Sequence, residues 1–307
     1  TRSPEAPTMN KSFDATGAQF AWDATSLSAA EKCLRYYHYK HIEGWFQPEK
    51  SFPLRFGGHY ATALEHFYKH RALGDDIDTA LEKVVLEALI DTWDGEAGPW
   101  QSPDPAKNRE NLIRTIVWYV EQFGQEHIDV IKLSDGRPAV EYSFSLDVDG
   151  GYVFSGHIDR LVTYAGDPYV MDQKTTGGAI SSYYFDNFSP DIQMSMYTFA
   201  GKAVYNIPVR GVIIDAAQIM VGFTRYERGF TFRTESQLHE WYDDMMRLIE
   251  RARKATHENH FPMNRASCGN YGGCEFRSIC SRAPEVRQNF LAASFKQGPT
   301  WDPLTRR

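Results

Sequence analysis

The sequence predicts an α+β protein with an α/β core, in which helices come first, a sheet follows and a cysteine-bearing tail closes the chain. Three observations carry that prediction. The first third has the apolar period of helices. Residues 139–175 read as β-branched and aromatic runs separated by turn signals. Residues 190–257 then read as helix, two strands and a long helix. The chain divides along its length into an irregular segment 1–25, a helical section 26–135, a core 136–260 and a tail 261–307.

Taken in order, Ser28–Ile42 is a tyrosine-rich helix, and Ser28 with Glu31 forms a capping box for it. Gly58–His70, Asp75–Trp93 and Asn108–Phe123 follow as helices, the last two joined by the proline-rich loop Gly98–Pro105. Residues 139–147, 152–164 and 169–175 form an antiparallel meander, with Asp149-Gly150-Gly151 as its first turn. A helix over 190–205, strands at Gly211–Val221 and Phe223–Arg233, and a helix over Glu235–His257 complete the core. There is no internal repeat and no low-complexity tract.

A length of 307 residues suits one large or two small domains, and 42% hydrophobic with 24% charged residues is a globular balance. No apolar run approaches a membrane span, and no export signal opens the numbered sequence, whose first residue is not Met. A cytoplasmic protein without a membrane partner, from a prokaryote or a virus, is the expectation. A net charge of −7 argues against a protein that coats nucleic acid by bulk electrostatics, but leaves room for a local basic groove beside an acidic centre. Arg247, Arg251, Arg253 and Lys254, followed by Arg265, Arg277, Arg282 and Arg287, are either such a groove or a solvated face.

Two strings carry the chemistry: Gly156-His157-Ile158-Asp159-Arg160 and Asp172-Gln173-Lys174. The cluster Ala165-Gly166-Asp167-Pro168 between them is a turn. Folding the hairpin about it brings Asp159 roughly opposite Lys174, while Asp172 and Lys174 leave one face of their strand. Two carboxylates suit a hard cation such as Mg²⁺ or Mn²⁺, and a neighbouring lysine can orient or deprotonate a water. Such strings are commonly solvated ion pairs worth little. Here Val153, Phe154 and Ile158 lead into Asp159, and Val170-Met171 into Asp172, so both carboxylates end apolar strands and need a partner or a metal. Arg160 alternates to the other face, where a structural ion pair is expected of it.

The G-x-x-D followed by D-x-K resembles motifs II and III of the PD-(D/E)XK nuclease superfamily, and Gln193-Met194-Ser195-Met196-Tyr197 resembles the Q-x-x-x-Y signature of its RecB-like branch. The resemblance implies a restriction-endonuclease-like central mixed sheet flanked by helices. It also implies catalysis by Asp159, Asp172 and Lys174, with the carbonyl of Gln173 as a further metal ligand. Gln193 and Tyr197 then face the substrate backbone. The branch also places a helical His before motif II. Its string aligns with Phe56-Gly57-Gly58-His59-Tyr60-Ala61-Thr62-Ala63-Leu64-Glu65, but the His position holds Ala61. Glu65, four residues on, is preferred as the helical ligand over His59, and water is the third option. Glu141 resembles a supporting position. The aromatic segment after Lys174, with Tyr183 and Tyr184, can either stack on splayed bases or pack on the domain.

Cys268, Cys274 and Cys280 lie in one glycine-containing segment, and Cys33 lies far upstream. Three thiols in a short loop read as a metal or cluster site. The pattern resembles the CRISPR-associated RecB-like exonucleases and AddB-type nucleases, in which one N-terminal and three C-terminal cysteines hold a 4Fe–4S cluster. The spacing departs from that family's commonest form, and zinc is the alternative. The implied function is a Mg²⁺- or Mn²⁺-dependent exonuclease acting on DNA, single-stranded or with free ends, as a homo-oligomer or with recombination or CRISPR partner proteins. Two rivals stand beside it: a catalytically weakened nucleic-acid-binding subunit of such a complex, and a redox-sensing iron–sulfur protein.

Overall fold

The computed structural model describes residues 12–48, 52–126 and 128–305. The chain opens with β1 (Ala21–Trp22), α1 (Ala24–Lys32), α2 (Leu34–Tyr37), a π-helical turn (His38–Ile42) and β2 (Trp45–Phe46). The helices α3 (Phe52–Leu73), α4 (Ile77–Asp91) and α5 (Arg109–Phe123) come next. They are followed by β3 (Asp129–Val130), β4 (Val140–Val148), β5 (Tyr152–Tyr164) and β6 (Asp167–Thr176). After α6 (Ser182–Asp186) and α7 (Ile192–Tyr205) come β7 (Gly211–Ile219), β8 (Thr224–Phe232) and α8 (Glu235–His257). The tail holds α9 (Arg277–Cys280), α10 (Arg287–Ser294) and β9 (Lys296–Gln297). Of the segment 1–25, residues 1–11 lie outside the described residues, as do 306 and 307 of the tail. Among the described residues no helix is long and apolar enough to cross a membrane.

The chain forms two compact units, each discontinuous in sequence. One comprises the described residues of Thr1–Glu49, Ser143–Gly156 and Glu235–Arg306, and the other those of Lys50–Tyr142 and His157–Thr234.

In the first unit, α1 starts earlier than expected. The Asp23 carboxylate accepts the Ser26 N–H at 2.8 Å, and the Ser26 hydroxyl accepts the Asp23 N–H at 3.1 Å. This reciprocal cap sets the helix start at Ala24 and leaves Ser28 and Glu31 inside the helix. Nor does one helix run to Ile42. At Cys33 the backbone is extended (φ −173°, ψ 120°), and the Cys33 sulfur accepts the Asn264 N–H at 3.3 Å. α8 buries Leu238, Trp241, Met245, Leu248, Ile249, Ala252 and Ala255, the spacing of one helical stripe, and packs on α1. A second cluster of Tyr39, Trp45, Phe276, Ile279, Leu291 and Phe295 joins the chain's early and late segments, closed by β2 pairing with β9.

In the second unit, β5 and β6 form a hairpin on the two-residue turn Ala165-Gly166, both with positive φ (51° and 88°). Its register runs from Tyr164↔Asp167 to Arg160↔Met171. Counted onward, that register sets position 159 against 172. The expectation that Asp159 lies opposite Lys174 is therefore corrected by two residues, because the turn takes two residues and Asp167-Pro168 belong to the strand. β6 pairs parallel with β7, and β7 antiparallel with β8, so the sheet is mixed. Every residue of β7 is buried, as befits a central strand. A parallel neighbour needs a crossover, and the segment carrying α6 and α7 supplies it, with α7 packed on β6 and β7. α3, α4 and α5 share a core of Phe56, Tyr60, Leu64, Phe67, Leu112, Ile116 and Tyr119 with Ala217, Ile219 and Tyr226 of the sheet.

Candidate active site

Strand alternation divides the residues of the D-x-K string. Asp172 and Lys174 leave one face of β6, and Gln173 leaves the other. Asp172 is 1% exposed and forms a close ion pair with Lys174. The Lys174 ammonium also donates to Gln193 Oε1 at 3.0 Å, and Gln193 Nε2 donates to the Tyr197 hydroxyl at 2.9 Å. Asp191 caps α7 by accepting the Met194 N–H at 2.9 Å, which fixes the first turn and points Gln193 and Tyr197, four residues apart, the same way. Asp159 is held from the backbone, its carboxylate accepting the Gln173 N–H at 2.8 Å.

The electrostatics follow from burial and like charge. Burial pushes the Asp172 carboxyl well up, the Asp159 charge adds to this, and Lys174 only partly offsets it. Burial works against the Lys174 ammonium, but Asp172 and Asp159 outweigh it and hold its pKa above the usual lysine range. Burial, with Asp172, Asp159 and Glu141 behind it, raises the Tyr197 hydroxyl far above its ordinary value. Asp159, Asp172 and Asp191 thus all act on the Lys174 ammonium.

On the reverse face, Arg160 (1% exposed) donates to Asp215 at 3.1 Å, and its guanidinium lies 4.1 Å from the Tyr68 ring centre. Arg228 reaches the other Asp215 oxygen at 3.1 Å, and the Tyr119 hydroxyl donates to the same carboxylate. Arg160 is therefore engaged in a buried ion pair, away from Asp172.

The structure does not gather every sequence candidate. Glu65 forms an ion pair with Lys69 one turn along α3, and His59 accepts from Arg55 at 3.5 Å and packs 5.7 Å from the Trp100 ring. Ala61 lines a cleft shared with Gln173 and Lys174, and neither His59 nor Glu65 lines it. Tyr183 is 77% exposed, whereas Tyr184 packs edge-on to Phe185 and Phe188. Tyr184 lies within electrostatic reach of Lys174 and Asp172, and burial raises its hydroxyl. Asp191 is a further charged residue of the site, and no motif in the sequence names it. An Asp at the start of an apolar helical run is a readable cap signal, but nothing in the sequence marks it as neighbour to a second acid.

Among the described residues no three His, Cys, Asp or Glu side chains converge closely enough to hold one metal ion. The Asp159 and Asp172 carboxylates are hard oxygen donors, and a buried acid whose proton affinity is raised by burial and a second acid is what a divalent cation relieves. In the first unit, Cys33, Cys268, Cys274 and Cys280 are all half-buried free thiols. Burial raises the thiols of Cys274 and Cys280, and Cys33 and the other neighbouring thiols raise them further. Lys32, Arg35 and Arg287 act in the opposite sense.

A sequence model described as the PD-(D/E)XK nuclease superfamily matches residues 21–281. No curated protein matches the sequence. Among solved structures, a candidate exonuclease from Eubacterium rectale is 11% identical, with 86% of this chain and 89% of that one covered and a TM-score of 0.49. A structure named SSO0001 is 12% identical, with 75% and 76% covered and a TM-score of 0.29.

Proposed function

The chain belongs to the PD-(D/E)XK nuclease superfamily, and on that premise we propose that it is a Mg²⁺- or Mn²⁺-dependent deoxyribonuclease that digests DNA from single-stranded ends. The observation that carries the reading is the hydrogen-bonded series Asp172–Lys174–Gln193–Tyr197, set beside an Asp159 that the backbone of the same strand holds in place. Asp159 and Asp172, with the carbonyl of Gln173, hold the cation, and water completes its shell. When bound, the cation supplies positive charge to the phosphoryl oxygens of the scissile bond. Lys174 orients the attacking water and donates to a phosphoryl oxygen as negative charge builds there. Gln193 fixes the direction of the Lys174 ammonium, and Tyr197 fixes Gln193. The exposed Tyr183 and the neighbouring Tyr184 offer ring faces to unpaired bases.

The four cysteines are proposed to hold a structural 4Fe–4S cluster. The thiols of Cys274 and Cys280 feel the other cysteines electrostatically, which supports one shared site for the four, with zinc as the alternative occupant. The surrounding Lys32, Arg35 and Arg287 suit the anionic charge of a thiolate-bound cluster.

One observation favours a second reading. Ala61, which stands where the RecB-like branch carries its helical His, faces the cleft beside Lys174 and offers no ligand. A nucleic-acid-binding subunit of a recombination or CRISPR adaptation complex, with weakened catalysis, would fit that loss. Labelled single-stranded DNA incubated with Mn²⁺ separates the two. The nuclease reading expects shortened products and nucleotides from the natural protein and none from Asp172→Ala. Cleavage that survives in Asp172→Ala refutes the assignment, and tight binding without cleavage by the natural protein establishes the second reading. Iron content and visible absorption of anaerobically purified protein test the cluster, and stoichiometric zinc without iron would overturn it.

A further inference from the structure

The nuclease series does not use Lys107, which is 5% exposed and lines the cleft beside Lys174. Its ammonium lies 5.1 Å from the Phe56 ring centre and has one main-chain contact, the Thr176 carbonyl at 3.5 Å. Among the described residues no carboxylate comes within ion-pair distance of it. An ammonium carries three donors, and burying it with one long hydrogen bond is costly unless something else supplies charge. Burial accordingly pulls Lys107 down to about 8, against the pull of Asp104.

The cleft around it has a volume of 330 Å³, at the small end of ligand sites and of a size for one nucleotide unit rather than a duplex. One wall is the start of α3, where Gly57 comes so close to Thr175 that a Cβ would lie 3.1 Å from its hydroxyl, while Gly58 faces open space. The other wall is β6 from Gln173 to Thr176. The Lys107 contact at Thr176 is two residues beyond Lys174, a rise of roughly 6.7 Å along a strand, comparable to the step between successive phosphates of an extended nucleic-acid chain.

We propose that this cleft is a phosphate subsite for the nucleic-acid strand, in which Lys107 receives the phosphate next to the scissile one. The inference rests on the nuclease reading and adds to it a second anionic contact. A phosphate entering here meets the Lys107 ammonium and the hydroxyl-bearing Thr175, and it neutralises a cation that, among the described residues, has no carboxylate at ion-pair distance. The phosphate is either a terminal monoester at a strand end or an internal diester, and both present the same anionic oxygens.

The test uses the full chain with Asp172→Ala, so that strands bind without being cut. Fluorescence anisotropy with a labelled 5′-phosphorylated single strand is followed across a salt series, with and without Lys107→Met. Loss of one phosphate contact should weaken binding by about 10-fold and reduce the slope of log K against log salt by about 0.7. An unchanged slope overturns the subsite, because a lysine that only packs on Phe56 releases no counterion. Gly58→Glu adds a carboxylate at a residue lining the cleft, where a Cβ meets nothing within 4 Å, and gives a second readout should Lys107→Met fail to fold. It should also weaken binding, and undiminished affinity overturns the proposal. If Lys107→Met acts on 5′-phosphorylated strands but not on 5′-hydroxyl or circular ones, the phosphate is terminal; if it acts on all three, the phosphate is internal. The natural protein cutting DNA while the slope stays fixed removes the subsite and leaves the nuclease reading intact. Failure of the natural protein to bind or cut DNA removes both.

Discussion

Lys174 has three donors and stands among acids, so its direction is decided by the acceptors around it. Asp172 takes one donor and Gln193 Oε1 another, and Gln193 is itself held by the Tyr197 hydroxyl. Gln193 is therefore a positioning residue, reaching substrate only through the ammonium it aims. Gln193→Ala removes a hydrogen bond to a charged donor, worth roughly 1.5–3 kcal/mol, and should lower kcat by about 10- to 100-fold with little change in thermal midpoint. The measurement is single-turnover cleavage of a labelled strand with Mn²⁺, alongside thermal unfolding. A rate equal to that of the natural protein would show that Lys174 is aimed by Asp172 alone. At this scale the sequence was informative, because an i, i+4 pair on a helix constrains direction whatever the surroundings. His59 and Glu65 show the converse. Their position on α3 was readable, and the i, i+4 spacing of Glu65 to Lys69 fits their ion pair, but the packing of His59 on Trp100 is one that no spacing specifies.

Within the sheet, the pleat sorts acids by face. Asp159 and Asp172 leave one side, and Asp215 leaves the other, where it sits between Arg160 and Arg228. Gln173 belongs to both arrangements, since its N–H holds Asp159 while its side-chain amide lies 3.5 Å from Asp215. Removing the Asp215 charge takes away the one ion-pair partner that Arg160 has among the described residues, whereas Arg228 keeps Glu126. Asp215→Asn should accordingly destabilise the protein by about 3–5 kcal/mol, the cost of breaking a buried pair from one side. Urea unfolding measures this, and a loss below about 1 kcal/mol would mean that water already reaches the guanidinium. The strands β5, β6, β7 and β8 were readable from alternation and turn residues, but their register was not. The cluster Ala165–Pro168 marks a turn without saying how many of its residues the turn uses, and that choice moved the partner of Asp159 from Lys174 to Asp172. The break in the first helix was hidden for a similar reason. Cys33 has unremarkable local propensity, and the partner of its sulfur, the Asn264 N–H, lies more than two hundred residues away.

Across the whole molecule, each compact unit is assembled from segments distant in sequence, and the first draws Thr1–Glu49 together with Ser143–Gly156 and Glu235–Arg306. A linear division of the chain lists those segments in order but cannot show that they form one body, because the contacts that join them are long-range. Buried groups where those segments meet therefore contribute to the stability of that unit, and His41 is one of them. It is 3% exposed, its ring is stacked 6.0 Å from Tyr37 and lies edge-on to Trp301 at 5.3 Å, and its Nδ1 has no hydrogen-bond partner. Burial, with Lys40 adding to it, lowers the imidazole from 6.5 to about 4. The unfolded chain therefore takes up a proton as pH falls below 6.5, while the folded chain resists until about pH 4, so stability is lost as the solution is acidified through that window. The loss should reach about 3 kcal/mol from this group. His41→Phe keeps the ring between Tyr37 and Trp301 and removes the titration. The difference in unfolding free energy between the two proteins, measured by urea titration at steps from pH 7 to pH 4, should shift toward the variant by that amount. A difference that stays constant across the window would mean that the imidazole is hydrated, or protonated in the folded state, and that the acid sensitivity of the unit lies in other groups.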